Sequence, residues 1–343
     1  MSAPIRAAVI GYGLAGRVFH APLISSDEAF ELAAVVTGNP ERADAARSRY
    51  PGILVIPTVD ELLADAASFD LVVVAAPTPD HASLVERTLR AGIPTVVDKP
   101  LAVHLADAER LVALSEDVGV PLTVFQNRRW DGDFLTVKRL VDEGRLGEVW
   151  RFESRFEWIS SRPRPVWKSA TSGAQGGGVA YDLGAHLIDQ AVQLFGPVAE
   201  VYGELDRHRD GAVNDDDSFI ALTHESGVRS HLAMSSLVAQ RGFRFRVLGS
   251  DSAYTKWGLD PQESQLGEGM TPLDSGFGLE PETAWGRIGR DGETVAVPTE
   301  PGGYREFYAR LADALTGRGP LPVDPRDALT GIRIVEDLHR ARG

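Results

Sequence analysis

The chain has 343 residues and a formal charge of −14, with acids and bases interspersed rather than gathered in blocks. That length suits two domains, and the lack of a basic patch argues against a nucleic-acid or anionic-membrane partner. With no cysteine, the sequence excludes disulfides, thiolate nucleophiles, thiolate metal sites and iron–sulfur clusters. Residues 1–10 carry no signal-peptide pattern and no stretch reaches membrane-spanning length, so the expected compartment is the cytoplasm.

The first third alternates short β-branched runs with helical patterns. Strands are predicted over Ile5–Ile10, Leu32–Thr37, Ile53–Ile56, Leu71–Ala75, Thr95–Asp98 and Leu122–Phe125. Between them lie helices from about Leu14, over Glu41–Arg49 behind Pro40, over Val59–Ala67, over Asp80–Arg90 ending at Gly92, and over about Ala106–Asp117. This alternation implies right-handed crossovers and a parallel sheet covered on both faces: a doubly wound Rossmann domain over residues 1–123. After Gln126 the pattern changes. One helix, Phe134–Glu143, precedes the alternating segment Glu148–Trp158, and further strands are predicted at Val198–Leu205, Ser218–Glu225, Val228–Ser236, Phe243–Leu248 and Thr294–Val297. Turns rather than helices join them, which predicts an α+β second domain over residues 124–343 with a large, mostly antiparallel open sheet. Two helices, Tyr304–Thr316 and about Asp327–Arg340, close the chain.

Gly11-Tyr12-Gly13-Leu14-Ala15-Gly16 follows the first strand and opens a helix, the context a dinucleotide fingerprint requires. Gly11 permits the tight turn, Gly13 lets backbone approach a pyrophosphate, and Gly16 lets the helix pack on the sheet, while the helix start aims free N–H groups at the phosphates. The second strand ends in Thr37-Gly38-Asn39-Pro40 and carries no acid that would bind a ribose 2′-hydroxyl. Arg42, with Thr37 and Asn39 as neutral donors, can instead meet a 2′-phosphate, so NADP is favoured over NAD. Ala76-Pro77-Thr78 ends the fourth strand, where small residues admit the nicotinamide ribose and Thr78 can bond it. His81, in the first helical turn beyond, either contacts the cofactor or bonds locally. Lys99, in Asp98-Lys99-Pro100, stands at the carboxyl edge of the sheet, where a nicotinamide would meet its substrate.

In the second domain, Gly176-Gly177-Gly178 leads into an amphipathic helix bearing Asp182 and His186, four residues apart and so on one face. A positioned histidine is a plausible base for an alcohol proton, and a carboxylate can orient it. Asp189 nearby raises the question of a metal; none is expected, because no second histidine or acidic cluster lies close by in the sequence.

Three separated motifs, Gly11 to Gly16 with Phe19-His20-Ala21-Pro22, Asp98-Lys99-Pro100, and Asp182 to Asp189, resemble those of the Gfo/Idh/MocA oxidoreductases over nearly the whole chain. Gln126-Asn127-Arg128-Arg129-Trp130-Asp131 is most similar to the branch containing NADP-linked scyllo-inositol dehydrogenases. The resemblance implies an enzyme that moves a hydride between nicotinamide and a secondary hydroxyl or ketone of a cyclic polyol or sugar. It implies that Lys99 hydrogen-bonds the reacting hydroxyl and that His186 takes its proton with Asp182 assisting. Asp98 and Gln126 join the cofactor contacts. Gln126, Asn127 and Arg128 become candidate contacts to sugar or nicotinamide, with Arg164, Trp167, Lys168 and Tyr304 as weaker ones. It also implies a homodimer or homotetramer. Two departures stand out: the family motif usually has glutamate where this chain has Asp98, and the loop around Trp167 and Lys168 is less basic than in the close branch. A non-catalytic sugar-sensing regulator and an NAD-recycling glycosidase on the same scaffold remain alternatives.

Overall fold

The β-branched runs near the N-terminus form six short strands in the computed structural model, which describes residues 3–159 and 170–342. They are β1 (Ile5–Ile10), β2 (Phe30–Val36), β3 (Leu54–Ile56), β4 (Leu71–Val74), β5 (Thr95–Asp98) and β6 (Leu122–Phe125). All pair in parallel, in the order β3-β2-β1-β4-β5-β6. Residues 71–74 of β4 and Val96 and Val97 of β5 are fully buried, as strands covered on both faces require. The strand order reverses between β1 and β4, and that reversal leaves a crevice at their carboxyl ends.

The crossover helices carry ordinary start signals. Asn39 caps Pro40–Arg49 by accepting the Arg42 N–H at 3.0 Å, and Thr58 caps Val59–Ala64 by accepting the Glu61 N–H at 3.2 Å. One element departs from expectation. The segment after β1 is not a regular α-helix: Ala15–His20 is π-helical, with the Ala21 N–H reaching back to the Gly16 carbonyl, and a short α-helix, Ala21–Ser25, follows.

The sequence places a boundary at 123 and assigns everything beyond it to a second domain. The structure instead groups Gln262–Phe277 and Gly303–Leu329 with Met1–Asn127 as one unit. Aromatic packing explains the return of the chain. The helix Arg305–Leu315 buries Phe307 edge-on to Phe125, with ring centroids 4.9 Å apart, and Tyr308 edge-on to Phe30 at 5.6 Å. Thr123 donates its hydroxyl to the Val323 carbonyl at 2.7 Å. Local periodicity registers an amphipathic helix but not the core that receives it.

The other unit comprises Arg128–Pro261, Gly278–Gly302 and Thr330–Gly343. Among the described residues its eight strands are β7 (Val149–Glu157), β8 (Val198–Asp206), β9 (Asp217–His224), β10 (Arg229–Ser235), β11 (Phe245–Gly249), β12 (Ala253–Lys256), β13 (Gly286–Gly289) and β14 (Val295–Val297). They pair in the order β14-β13-β12-β11-β7-β10-β9-β8, antiparallel except for β7 with β10. β7 shows the alternation that identifies it: Phe152, Ser154 and Phe156 face inward while Arg151, Glu153, Arg155 and Glu157 take the other face. The sequence reading lacks β12, β13 and the short helix Gln262–Gly267, each only four to six residues long. Runs that short, one of them bounded by glycine at both ends, carry too little periodicity to register. Among the described residues no helix is long and apolar enough to cross a membrane.

His20 makes the first unit's stability depend on pH. Its Nδ1 lies 2.7 Å from the Tyr308 hydroxyl, its ring packs 4.4 Å from that of Phe125, and Nε2 has no hydrogen-bond partner among the described residues. Burial pulls its pKa down from 6.5 to about 4, against the opposing pull of Asp98. The folded value lies below the unfolded one, so the unfolded chain takes up the proton first as pH falls. Folding should therefore lose about 3 kcal/mol between pH 6.5 and pH 4 through this group. Urea unfolding at pH 7, 5.5 and 4 should show a shallower pH dependence for His20→Gln than for wild type; equal slopes would contradict the assignment.

Candidate active site

The glycine-rich turn is built by contacts too close for side chains. Gly11 has φ +94°, and a Cβ there would lie 2.6 Å from the Ala75 carbonyl oxygen. A Cβ on Gly16 would lie 2.0 Å from the Gly11 carbonyl oxygen. At Gly13, by contrast, a Cβ would meet nothing nearer than the Arg42 guanidinium at 3.9 Å. The first and third glycines thus seat the helix on the sheet, and the second leaves open backbone at the mouth of the turn. This is the geometry a pyrophosphate needs, and the residues present fit a dinucleotide. Leu14 is exposed, whereas the Tyr12 side chain is buried, which pushes its hydroxyl up to about 12; Tyr12 offers the site its backbone only.

Arg42, Thr37 and Asn39 come together at the end of β2. The Asn39 N–H donates to the Thr37 hydroxyl at 3.3 Å, and Asn39 in turn caps the helix that carries Arg42. Ala76, Pro77 and Thr78 follow β4, with Thr78 opening a short 3-10 turn. His81 makes the local contacts that one of its two readings expects. Its ring is buried, with Nδ1 2.7 Å from the Pro100 carbonyl oxygen and Nε2 2.9 Å from that of Ala76. A carbonyl oxygen thus lies beside each ring nitrogen, and His81 links the β4 turn to the Lys99-Pro100 turn.

Asp98 closes β5 by accepting the Lys99 N–H at 2.9 Å, and the next peptide, Lys99–Pro100, is cis. Lys99 is half-buried. Beyond β6, Gln126 is buried with Oε1 unpartnered among the described residues, an acceptor that a ligand's N–H or O–H would satisfy. Asn127, also buried, begins a 3-10 turn. Tyr304 does not stand open as a contact. It is fully buried, edge-on to Phe19 at 6.1 Å, with its N–H donated to the Gln262 side chain at 2.8 Å.

In the second unit, Asp182 and His186 do not share one regular α-helix. Ala180–Gly184 is a π-helical turn that runs directly into the α-helix Ala185–Phe195. The four-residue spacing of Asp182 and His186 therefore does not by itself fix a shared α-helical face, and such π segments are frequent at functional sites. His186 is buried with its ring edge-on to Phe156 at 6.4 Å. Polar contacts fix the helix behind it. Arg129 grips Asp189 with two bonds of 2.8 and 2.5 Å, and Gln190 donates to the Arg128 carbonyl at 2.8 Å. Arg244 donates to Gln190 at 2.9 Å and to Ser154 at 2.6 Å while its guanidinium lies 4.0 Å over Phe156 and 3.9 Å over Phe245. Burial lowers the Arg244 pKa to about 10.

Arg128 belongs to the same packing: its guanidinium meets Asp131 at 3.4 Å and lies 4.8 Å over Phe156. Arg164 and Trp167, and Lys168 beside them, lie outside the described residues. The sequence reading misses Arg244, Gln190, Tyr308 and Asp215. Only an acidic run, Asp215-Asp216-Asp217, hints at the last, and such a run reads as a solvated turn.

Comparison with known proteins agrees with this geometry. Residues 5–126 match the model of the oxidoreductase family with an NAD-binding Rossmann fold, and residues 134–255 match the GFO/IDH/MocA C-terminal domain. The chain is 38% identical to the Escherichia coli oxidoreductase YdgJ over 98% of its own length and 96% of that relative. It is 31% identical to the scyllo-inositol 2-dehydrogenase (NADP(+)) IolW of Bacillus subtilis over 97% of its length and 92% of IolW. Among solved structures, the YPO2259 oxidoreductase of Yersinia pestis superposes with a TM-score of 0.90 at 36% identity, over 99% of this chain and 95% of that one.

The two glycines should separate binding from folding. Gly13→Ala should melt within a few degrees of wild type yet bind reduced dinucleotide roughly tenfold more weakly in a fluorescence titration. Gly16→Ala should fail to fold, because its methyl meets backbone rather than a movable side chain. Equal behaviour of the two variants would contradict this division of roles.

Proposed function

The chain belongs to the Gfo/Idh/MocA oxidoreductases, and from that premise we propose an NADP-preferring dehydrogenase that oxidises a secondary hydroxyl of a cyclic polyol or sugar, or reduces the matching ketone. The observation that carries the reading is the functional set itself: a half-buried Lys99 in the turn closing β5, and Asp182 with His186 on a π-helical turn and the helix it opens. The Lys99 ammonium donates a hydrogen bond to the reacting oxygen and stabilises negative charge developing there. His186 takes the hydroxyl proton, or returns it in reduction, and the Asp182 carboxylate steadies the imidazole in its cationic form. A bound nicotinamide supplies the hydride chemistry.

The coenzyme preference rests on the end of β2. Thr37, Gly38 and Asn39 present no carboxylate to repel a 2′-phosphate, and the Arg42 guanidinium lies close to Gly13. IolW, named for NADP(+) and scyllo-inositol, supports both the coenzyme and the substrate class.

A panel of inositols and aldoses with both coenzymes tests the reading by nicotinamide absorbance. Lys99→Met and His186→Ala should each lower kcat/KM by about 10²- to 10⁴-fold. Arg42→Ala should raise KM for NADP while leaving that for NAD nearly unchanged. Turnover at wild-type rates in both active-site variants would sink the assignment.

A further inference from the structure

Asp215 is a buried acid that the proposed reaction leaves unused. It precedes β9, is 2% exposed, and directs its carboxylate at the start of the turn bearing Asp182. Oδ2 accepts the Ala180 N–H at 2.7 Å and the Ser218 hydroxyl at 2.8 Å, and its backbone carbonyl accepts the Val179 N–H at 3.1 Å. Val179 and Ala180 open the π-helical turn on which Asp182 stands, and that turn continues into the helix bearing His186. On the other side, the His339 Nε2 lies 3.7 Å from Oδ1, and the His339 ring stacks on Tyr181 at 5.4 Å and 10°. Tyr181 is the residue immediately before Asp182.

The carboxylate also packs where a glycine leaves room for it. Gly178 has φ +102°, and a Cβ there would lie 1.7 Å from the Asp215 Oδ1. The start of a helix has free N–H groups that need acceptors, and here a distant side chain supplies one. Burial raises the Asp215 pKa, with the bonds from Ala180 and Ser218 pulling the other way. Both of those bonds require an acceptor oxygen rather than a charge.

We propose that Asp215 is a positioning residue: by holding the backbone at Val179 and Ala180 it sets the rotation of the turn bearing Asp182, and through that turn the placement of the His186 imidazole. The inference rests on the proposed function, in which Asp182 and His186 handle the substrate proton. A displacement of about 1 Å in such a group can cost about a hundredfold in rate, so loss of the acceptor should register in kcat.

The test uses the full chain, with steady-state kinetics on a polyol that wild type oxidises and histidine-ring NMR of the free protein. Asp215→Ala should lower kcat by about 10- to 100-fold with KM for the dinucleotide unchanged, and should shift the His186 ring resonances. Asp215→Asn should restore kcat to within about threefold, because the amide oxygen still accepts from Ala180 and Ser218. Wild-type kcat together with unshifted His186 resonances in Asp215→Ala would overturn the proposal, and failure of Asp215→Asn to rescue would overturn the acceptor role. Should Asp215→Ala not fold, Ser218→Ala, which removes one of the two bonds, should lower kcat about threefold and shift the same resonances; no change in either would count against the proposal. If His186→Ala turns over normally, the functional reading fails, while the resonance comparison still decides whether Asp215 positions that ring.

Discussion

Gly16 packs so closely on the Gly11 carbonyl that no side chain fits between them, and this contact sets the geometry of the first unit. A Cβ at Gly16 would lie 2.0 Å from that oxygen, and one at Gly11 would lie 2.6 Å from the Ala75 carbonyl. The helix start is therefore pinned above the end of β1, and β1 is pinned beside β4 where the strand order reverses. A helix start so placed offers an anion backbone N–H groups rather than a charged side chain, which suits a chain carrying net negative charge. Steric exclusion of this kind is rigid, since the atoms that would have to yield are backbone.

The second unit holds its motif by different means. Asp182 stands on a π-helical turn, with His186 just beyond it, and polar contacts fix both: Asp215 at the start, and Arg129, Gln190 and Arg244 along the helix behind. Burying such groups is costly unless they are bonded. Arg244 meets that cost with hydrogen bonds to Ser154 and Gln190, a nearby Asp133 carboxylate at 3.5 Å and two aromatic faces. The two motifs also share a feature, because each includes a π-helical segment, Ala15–His20 in one and Ala180–Gly184 in the other. In each, the local geometry departs from a regular α-helix within or beside the motif.

Much of this was legible in the sequence, for definite reasons. The parallel sheet announces itself through continuous β-branched runs such as Leu71–Val74, and β7 through strict alternation. The glycine spacing states its own steric purpose. What the sequence concealed is nonlocal. No pattern marks Tyr308 as the partner of His20, or Gln262–Phe277 as belonging with the first unit, since both depend on where the chain returns. His81 leaves cofactor contact and local bonding both open in the sequence, and the two backbone carbonyls beside its ring come from turns that no local pattern marks. Asp215 carries no motif, and its role depends on its carboxylate lying beneath the turn bearing Asp182, 35 residues earlier in the chain. The π-helical windings escape as well, because residue spacing alone presumes α-helical geometry.

Direct hydride transfer can be checked by following the hydrogen itself. A polyol oxidised by the purified protein, carrying deuterium on its reacting carbinol carbon, would be turned over with NADP and the reduced coenzyme examined by mass spectrometry. Hydride transfer requires one deuterium per reduced coenzyme, accumulating with the ketone product in equal amount. Reduced coenzyme without label would contradict that transfer, and product formed while the coenzyme shows no net reduction would contradict net oxidation; either result would overturn the function proposed for this chain.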